Sequence, residues 1–200
     1  VLERRGLVRE RVLRILLNNP SGDLTKYRVA KESEGTYPWI HELLEKLEKD
    51  GVVKGTRVKD FKKLIALWQK WQVRPNKKEY MLRNPIDILR KIKLQYALTT
   101  YQAENIVQNY LFPSRVDFYI RGKERDEWHR ILSREGLVGR GNTRVLIGDE
   151  HVFYGSFERN GLRVVSLPQL VVDLLNEGGV CVEAAEKLLR KVSKNVLPRL

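Results

Sequence analysis

Apolar positions recur at helical spacing through much of the first half of the chain. Leu7, Val8, Val12, Ile15 and Leu16 form one stripe over about residues 3–18, with Arg4, Arg5, Arg9, Arg11 and Arg14 around it. Asn18-Asn19-Pro20-Ser21-Gly22 stops that helix. Thr25 then caps a shorter helix, KYRVAKES, whose apolar contacts are Tyr27, Val29 and Ala30. After a Glu34-Gly35 turn comes TYPWIHELLEKLEKD: a hydroxyl residue at the cap position, a proline in the first turn, and Ile40, Leu43, Leu44 and Leu47 at i, i+3, i+4 and i+7. Lys49-Asp50-Gly51 supply a cationic last turn and a glycine stop. Three helices with a short glycine-containing turn before the third are the pattern of a helix-turn-helix.

The pattern then shifts to short β-prone runs. Val52–Val58 contains a Gly-Thr kink, and residues 77–82 (KKEYML) read as its returning strand, terminated by Asn84-Pro85. Between them Phe61, Leu64, Ile65, Leu67, Trp68 and Trp71 fall at helical spacing, with Lys59, Lys62, Lys63 and Lys70 on the other side. The expectation is a wing with a helical insertion at 60–72, whose tryptophans either dock on the core or form a dimer contact. A connector helix carrying Ile86, Ile88, Leu89 and Ile92 ends near Gln95.

From Tyr96 the chain alternates helix and strand. A helix capped by Thr99 or Thr100 precedes RVDFYIR (115–121), which alternates with period two, and a helix from Glu124 to Arg134 carries Trp128, Ile131 and Leu132. Short strands are predicted near 137–139, 143–147, 152–157 and 162–165, followed by an apolar helix opened by Ser166-Leu167-Pro168 and a last helix over Val182–Lys194. The fold class is α+β: an N-terminal winged helix-turn-helix over residues 1–95 and a C-terminal mixed α/β domain over 96–200.

Charge gives the first half a direction. The 200 residues carry 38 Lys and Arg against 25 Asp and Glu, a net +13. Residues 1–95 hold 23 of those cations and 12 of the acids, an excess of 11; residues 96–200 hold 15 and 13, an excess of 2. A basic half joined to a nearly neutral one predicts that the first half meets a polyanion. No stretch joins a long apolar face to a basic one, so a membrane surface is disfavoured, and no run of about 18 apolar residues exists. The opening VLERRGLVRER lacks the apolar core of a signal peptide, and the single Cys181 cannot form an internal disulfide, so a cytoplasmic setting is expected.

At LTTYQAENIVQNY (98–110), RVDFYI (115–120), VVSLPQLVVDLLNEGG (164–179) and EAAEKLL (183–189), the chain resembles the AbiEi-type antitoxin and transcriptional regulators of abortive-infection, type IV toxin–antitoxin systems. The resemblance implies a winged helix before a C-terminal α/β domain, repression of its own operon, and neutralisation of a nucleotidyltransferase toxin. The long wing insertion departs from a compact winged helix.

A recognition helix presents its N-terminal residues to base edges while flanking cations meet phosphate. The candidate contacts are Thr36, Tyr37, Trp39, Glu42 and Lys46 on the third helix, Lys26 and Arg28 on the second, and Lys54, Arg57, Lys77 and Lys78 on the wing. Tyr37 stands three residues before Ile40 and so fits the buried face as well. The expected partners are double-stranded DNA and a second copy of the chain, with a toxin protein as the alternative. No cofactor or metal is expected: His41, His129 and His151 lack ligand spacing, and no GxxxxGK loop is present. Asp117 is a lone strand carboxylate and Gly155-Ser156 a turn, without the paired acids that two-metal nucleotidyl transfer requires, so catalysis is not expected.

Overall fold

A computed structural model describes residues 2–196. The chain forms two compact units, one from Val1–Val73 and Glu186–Leu200, the other from Arg74–Ala185. The fold is α+β, with an N-terminal helical segment, a small β-hairpin and a larger mixed sheet. Among the described residues no helix is long and apolar enough to cross a membrane.

The first unit opens with α1 (Leu2–Asn18), α2 (Lys26–Glu32) and α3 (Tyr37–Lys49). The predicted stripes are the core: Val12, Leu13, Ile15 and Leu16 of α1 are enclosed, as are Val29 of α2 and Ile40, Leu44 and Leu47 of α3. Each such side chain contributes about 1.5–3 kcal/mol by leaving water, which outweighs the weak intrinsic stability of helices this short. The hairpin that follows is small and self-contained, β1 (Val53–Lys54) pairing antiparallel with β2 (Arg57–Val58).

Helix α4 (Phe61–Trp71) packs on α1, with Phe61, Leu64, Ile65 and Trp68 turned inward. It is therefore not an insertion in a wing. The hairpin closes before it begins, and residues 77–82, expected as the returning wing strand, lie in the large sheet of the other unit. Trp68 is wholly enclosed, which settles its place in the core and removes it as a surface for dimer contact.

In the second unit β3 (Asn76–Leu82), β4 (Tyr96–Thr99), β5 (Val116–Ile120), β6 (Gly136–Val138), β7 (Thr143–Ile147), β8 (Phe157–Arg159) and β9 (Leu162–Val164) form one sheet in the order β6-β3-β7-β5-β4-β9-β8. The β5–β7 and β4–β9 pairs are parallel and the others antiparallel. The unit also holds α5 (Pro85–Lys91), α6 (Thr100–Gln108), α7 (Arg125–Glu135), α8 (Leu167–Glu177) and the start of α9 (Val180–Val196). All five residues of β5 are buried, so its apparent alternation reflects a polar network on one face, not exposure to water. Strand β4 is a run of four buried residues, too short to separate by periodicity from the helix behind it. Residues 150–153 form a 3-10 turn capped by Asp149, and the strand expected there begins only at Phe157.

Candidate nucleic-acid interface

Helix α2 starts where Thr25 accepts the Arg28 N–H at 3.1 Å, and the turn after it is fixed from several sides. The Gly35 N–H donates to the Ala30 carbonyl at 3.0 Å, Glu34 sits at φ +56°, and Arg11 of α1 donates to the Glu34 carboxylate at 2.6 Å. A Cβ on Gly35 would stand 2.7 Å from Ile40 Cδ1 and 2.9 Å from Val8, so glycine lets α3 close on α1. Thr36 occupies the N-cap position of α3 without a side-chain cap bond, contrary to the capping role read from the sequence.

The outward side of this helix pair carries an aromatic row. Tyr27 is 67% exposed and Tyr37 45%; their ring centroids are 6.4 Å apart, and the Tyr37 and His41 centroids 5.9 Å apart. Tyr27, expected to face inward, faces out because Val29 and Ala30 supply the buried side of so short a helix. Thr36, Glu42 and Lys46 are exposed and Trp39 half-buried. Helix α3 is not itself basic, since Glu42, Glu45 and Glu48 alternate with Lys46 and Lys49, and His41 Nδ1 lies 3.4 Å from Glu45. Its first turn is free of acid, and α2, which packs against α3, carries Lys26, Arg28 and Lys31. Of these, Arg28 is already hydrogen-bonded to Glu32 at 2.8 Å.

The hairpin is held against the loop ahead of α2. Thr56 Oγ1 donates to the Leu24 carbonyl at 2.6 Å and lies 3.2 Å from that of Gly22, while the Val58 N–H donates to the Pro20 carbonyl at 2.9 Å. At Gly22, φ +84°, a Cβ would meet the Arg57 Cβ at 2.7 Å. The tip turns on Gly55 at φ +62°, leaving Lys54 exposed and Arg57 half-exposed. Lys77 and Lys78, expected beside them, stand on β3 instead, where Lys78 Nζ lies 3.1 Å from His129 Nδ1. Drawn at the observed boundary, the charge division persists: the first unit's sequence holds 21 Lys and Arg against 11 Asp and Glu, the second's 17 against 14.

A polar cluster in the second unit was not legible as such. Asp117, read as a plain strand residue, is wholly buried and accepts from Arg115 at 2.7 Å, Arg144 at 2.8 Å and Thr100 at 2.5 Å. The same two guanidiniums reach Glu177 at 2.6 Å each. Burial alone would raise Glu177, but the hydrogen bonds and charges of Arg115 and Arg144 hold it below the ordinary carboxylate range. Burial likewise works against Arg115, and its bonds to Asp117 and Glu177 leave it above its ordinary value. Thr100 adopts φ +48°, a strained conformation for a β-branched residue, fixed here by its bond to Asp117. Each carboxylate is held by both arginines, an arrangement that ties β5, β7 and the end of α8 together. Among the described residues no group of three or more His, Cys, Asp or Glu is arranged to hold a metal ion.

Comparisons with protein-family models, curated proteins and solved structures gave no match.

Proposed function

We propose that the first unit is a winged helix-turn-helix that binds double-stranded DNA, and that the chain is a sequence-specific transcriptional regulator. The observation that carries this reading is the joining of α2, a tightly fixed turn and α3 beside a hairpin, within a unit whose sequence has a cation excess of ten. In this reading α3 enters the major groove by its acid-free first turn, with Thr36, Tyr37 and Trp39 nearest the bases and Glu42 and Lys46 a turn further along. Lys26, Arg28, Lys54 and Arg57 meet phosphate, and these contacts fix register without reading sequence. Lys77 and Lys78 stand on β3 of the second unit and not on the hairpin.

The test is selection of bound duplexes from a random pool, followed by mobility shift over a range of salt. Binding should weaken steeply with salt, and Lys54→Ala and Arg57→Ala should each lower the slope of log K against log salt by about one. Unchanged affinity and slope in both variants, with the fold intact, would remove the wing from the interface.

A second reading makes the chain an antitoxin-type module that binds a nucleotidyltransferase toxin. It is favoured by apolar side chains left open on the second unit: Phe112 at 83% exposure, Val180 at 65% and Tyr110 at 40%, around a hollow of about 470 Å³ that Tyr101 and Glu183 also line. Co-expression with the product of the neighbouring gene tests it, and failure of Phe112→Ser to weaken any complex so formed would count against this surface.

A further inference from the structure

Helix α3 carries an unusual set of side chains for a helix read as a base reader. Its sequence, YPWIHELLEKLEK, contains no arginine, asparagine or glutamine. The bidentate pairings of arginine with guanine and of asparagine or glutamine with adenine are therefore absent from it. On α2 the one arginine, Arg28, is tied to Glu32. What the acid-free end of α3 does present is aromatic: Tyr37 at the first helical position, Tyr27 of α2 at 6.4 Å and His41 one turn along at 5.9 Å.

We infer that Tyr27 and Tyr37 form an apolar reader for the C5-methyl group of thymine in the major groove. This inference rests on the duplex-binding reading above and names what that surface recognises. The thymine methyl is the one apolar group that base edges present in the major groove, and apolar side chains are its partners there. Two neighbouring rings, tilted 46° to one another, offer a shallow slot of the right character, and more than two fifths of each residue is open to receive it. Lys26 and Lys31 stand on the same seven-residue helix as Tyr27 and supply the charge complementarity that brings a duplex to this helix. Arginine and lysine contacts to phosphate would be the same for any sequence, so discrimination falls to the tyrosines, with Glu42 and Lys46 one turn beyond.

The experiment replaces thymine by deoxyuridine, one position at a time, in a duplex that the full chain has selected from a random pool. That change deletes the methyl and leaves every hydrogen-bonding group in place. One or two positions should lose roughly fourfold in affinity each, the effect of burying one methyl-sized group. Tyr37→Ala and Tyr27→Ala should bind more weakly and lose that sensitivity, while Tyr37→Phe keeps it. Both positions are exposed, and circular dichroism checks that the variants fold. If a duplex is selected but deoxyuridine is tolerated everywhere, or sensitivity survives both alanine variants, the methyl reader is overturned and duplex binding stands. If the pool yields no bound duplex, or the separated single strands bind more tightly, the reading it rests on fails and this inference with it.

Discussion

The guanidinium of Arg14, on α1, lies 5.1 Å over the ring of Trp68, on α4, and both side chains are shut away from solvent. The same guanidinium donates to Glu10 at 2.8 Å, and the other Glu10 oxygen accepts the Val73 N–H at 3.1 Å. A cation, an aromatic ring and a carboxylate thus tie the end of α4 to α1.

Removing one member of a buried pair leaves the other charge without compensation. Arg14→Met should destabilise the first unit by about 3–5 kcal/mol in urea unfolding. The double variant Glu10→Gln, Arg14→Met should lose much less, because glutamine still accepts from Val73 and the Glu10 charge is gone with its partner. Equal losses in the single and double variants would show that Glu10 is not the partner that matters.

The hairpin tip depends on one hydroxyl. Thr56→Val keeps the shape of the side chain but removes its donation to the Leu24 carbonyl. The expected cost is about 1–3 kcal/mol of stability, from a part-buried carbonyl left unsatisfied. Amide exchange should quicken at Val53–Val58 before it does in α1, and exchange unchanged there would mean that the Val58–Pro20 bond alone secures the hairpin.

Acid should loosen the second unit through Glu177. Its folded pKa is lowered by Arg115 and Arg144 despite burial, so it contributes stability that is present above the unfolded carboxylate value and is lost as pH falls through the folded one. Glu177→Gln should lower stability at neutral pH and flatten the decline towards acid, as followed by denaturant midpoint against pH. A variant whose acid decline matches the parent's would assign that decline to other carboxylates.

At the alkaline end the corresponding group is Tyr101. Burial first, then the hydrogen bond and charge of Cys181 and the charge of Glu177, push its hydroxyl up to about 12 from the ordinary 10.0. The unfolded chain gives up this proton earlier, so the stabilisation is whole below the unfolded value and drains away as pH climbs towards 12. Tyr101→Phe should make the fall in stability over that range shallower, and ultraviolet difference titration should show one late-ionising phenol fewer.

How much of this was legible in the sequence follows from what each signal measures. Ile40, Leu43, Leu44 and Leu47 announced the buried face of α3 because a helical stripe is local information, and all four are buried. Tyr27 misled because an aromatic residue in a seven-residue helix reads as core, whereas two small contacts, Val29 and Ala30, suffice to seat that helix. Lys77 and Lys78 read as partners of Val52–Val58 because strand pairing is non-local: KKEYML alternates correctly for a half-buried strand, and nothing in that alternation names its neighbour. Asp117 looks isolated in sequence because its partners, Arg115 apart, come from the distant positions Thr100 and Arg144, and Glu177 joins through the two arginines. The Tyr27–Tyr37 pair, too, joins residues from two helices and is visible only once the turn at Gly35 has folded them together.

The position of β3 has a practical consequence for anyone dividing the chain. It is hydrogen-bonded to β6 on one side and β7 on the other, yet it precedes residue 95, where the composition changes. A fragment begun at 96 would leave β6 with no strand to pair with and shrink the seven-stranded sheet to five. It would also turn β7, with Val145 and Leu146 now buried, into a raw apolar border of the kind that recruits other chains. Such a fragment should precipitate, while one begun at Arg74 retains every ladder of the seven-stranded sheet and should stay in solution.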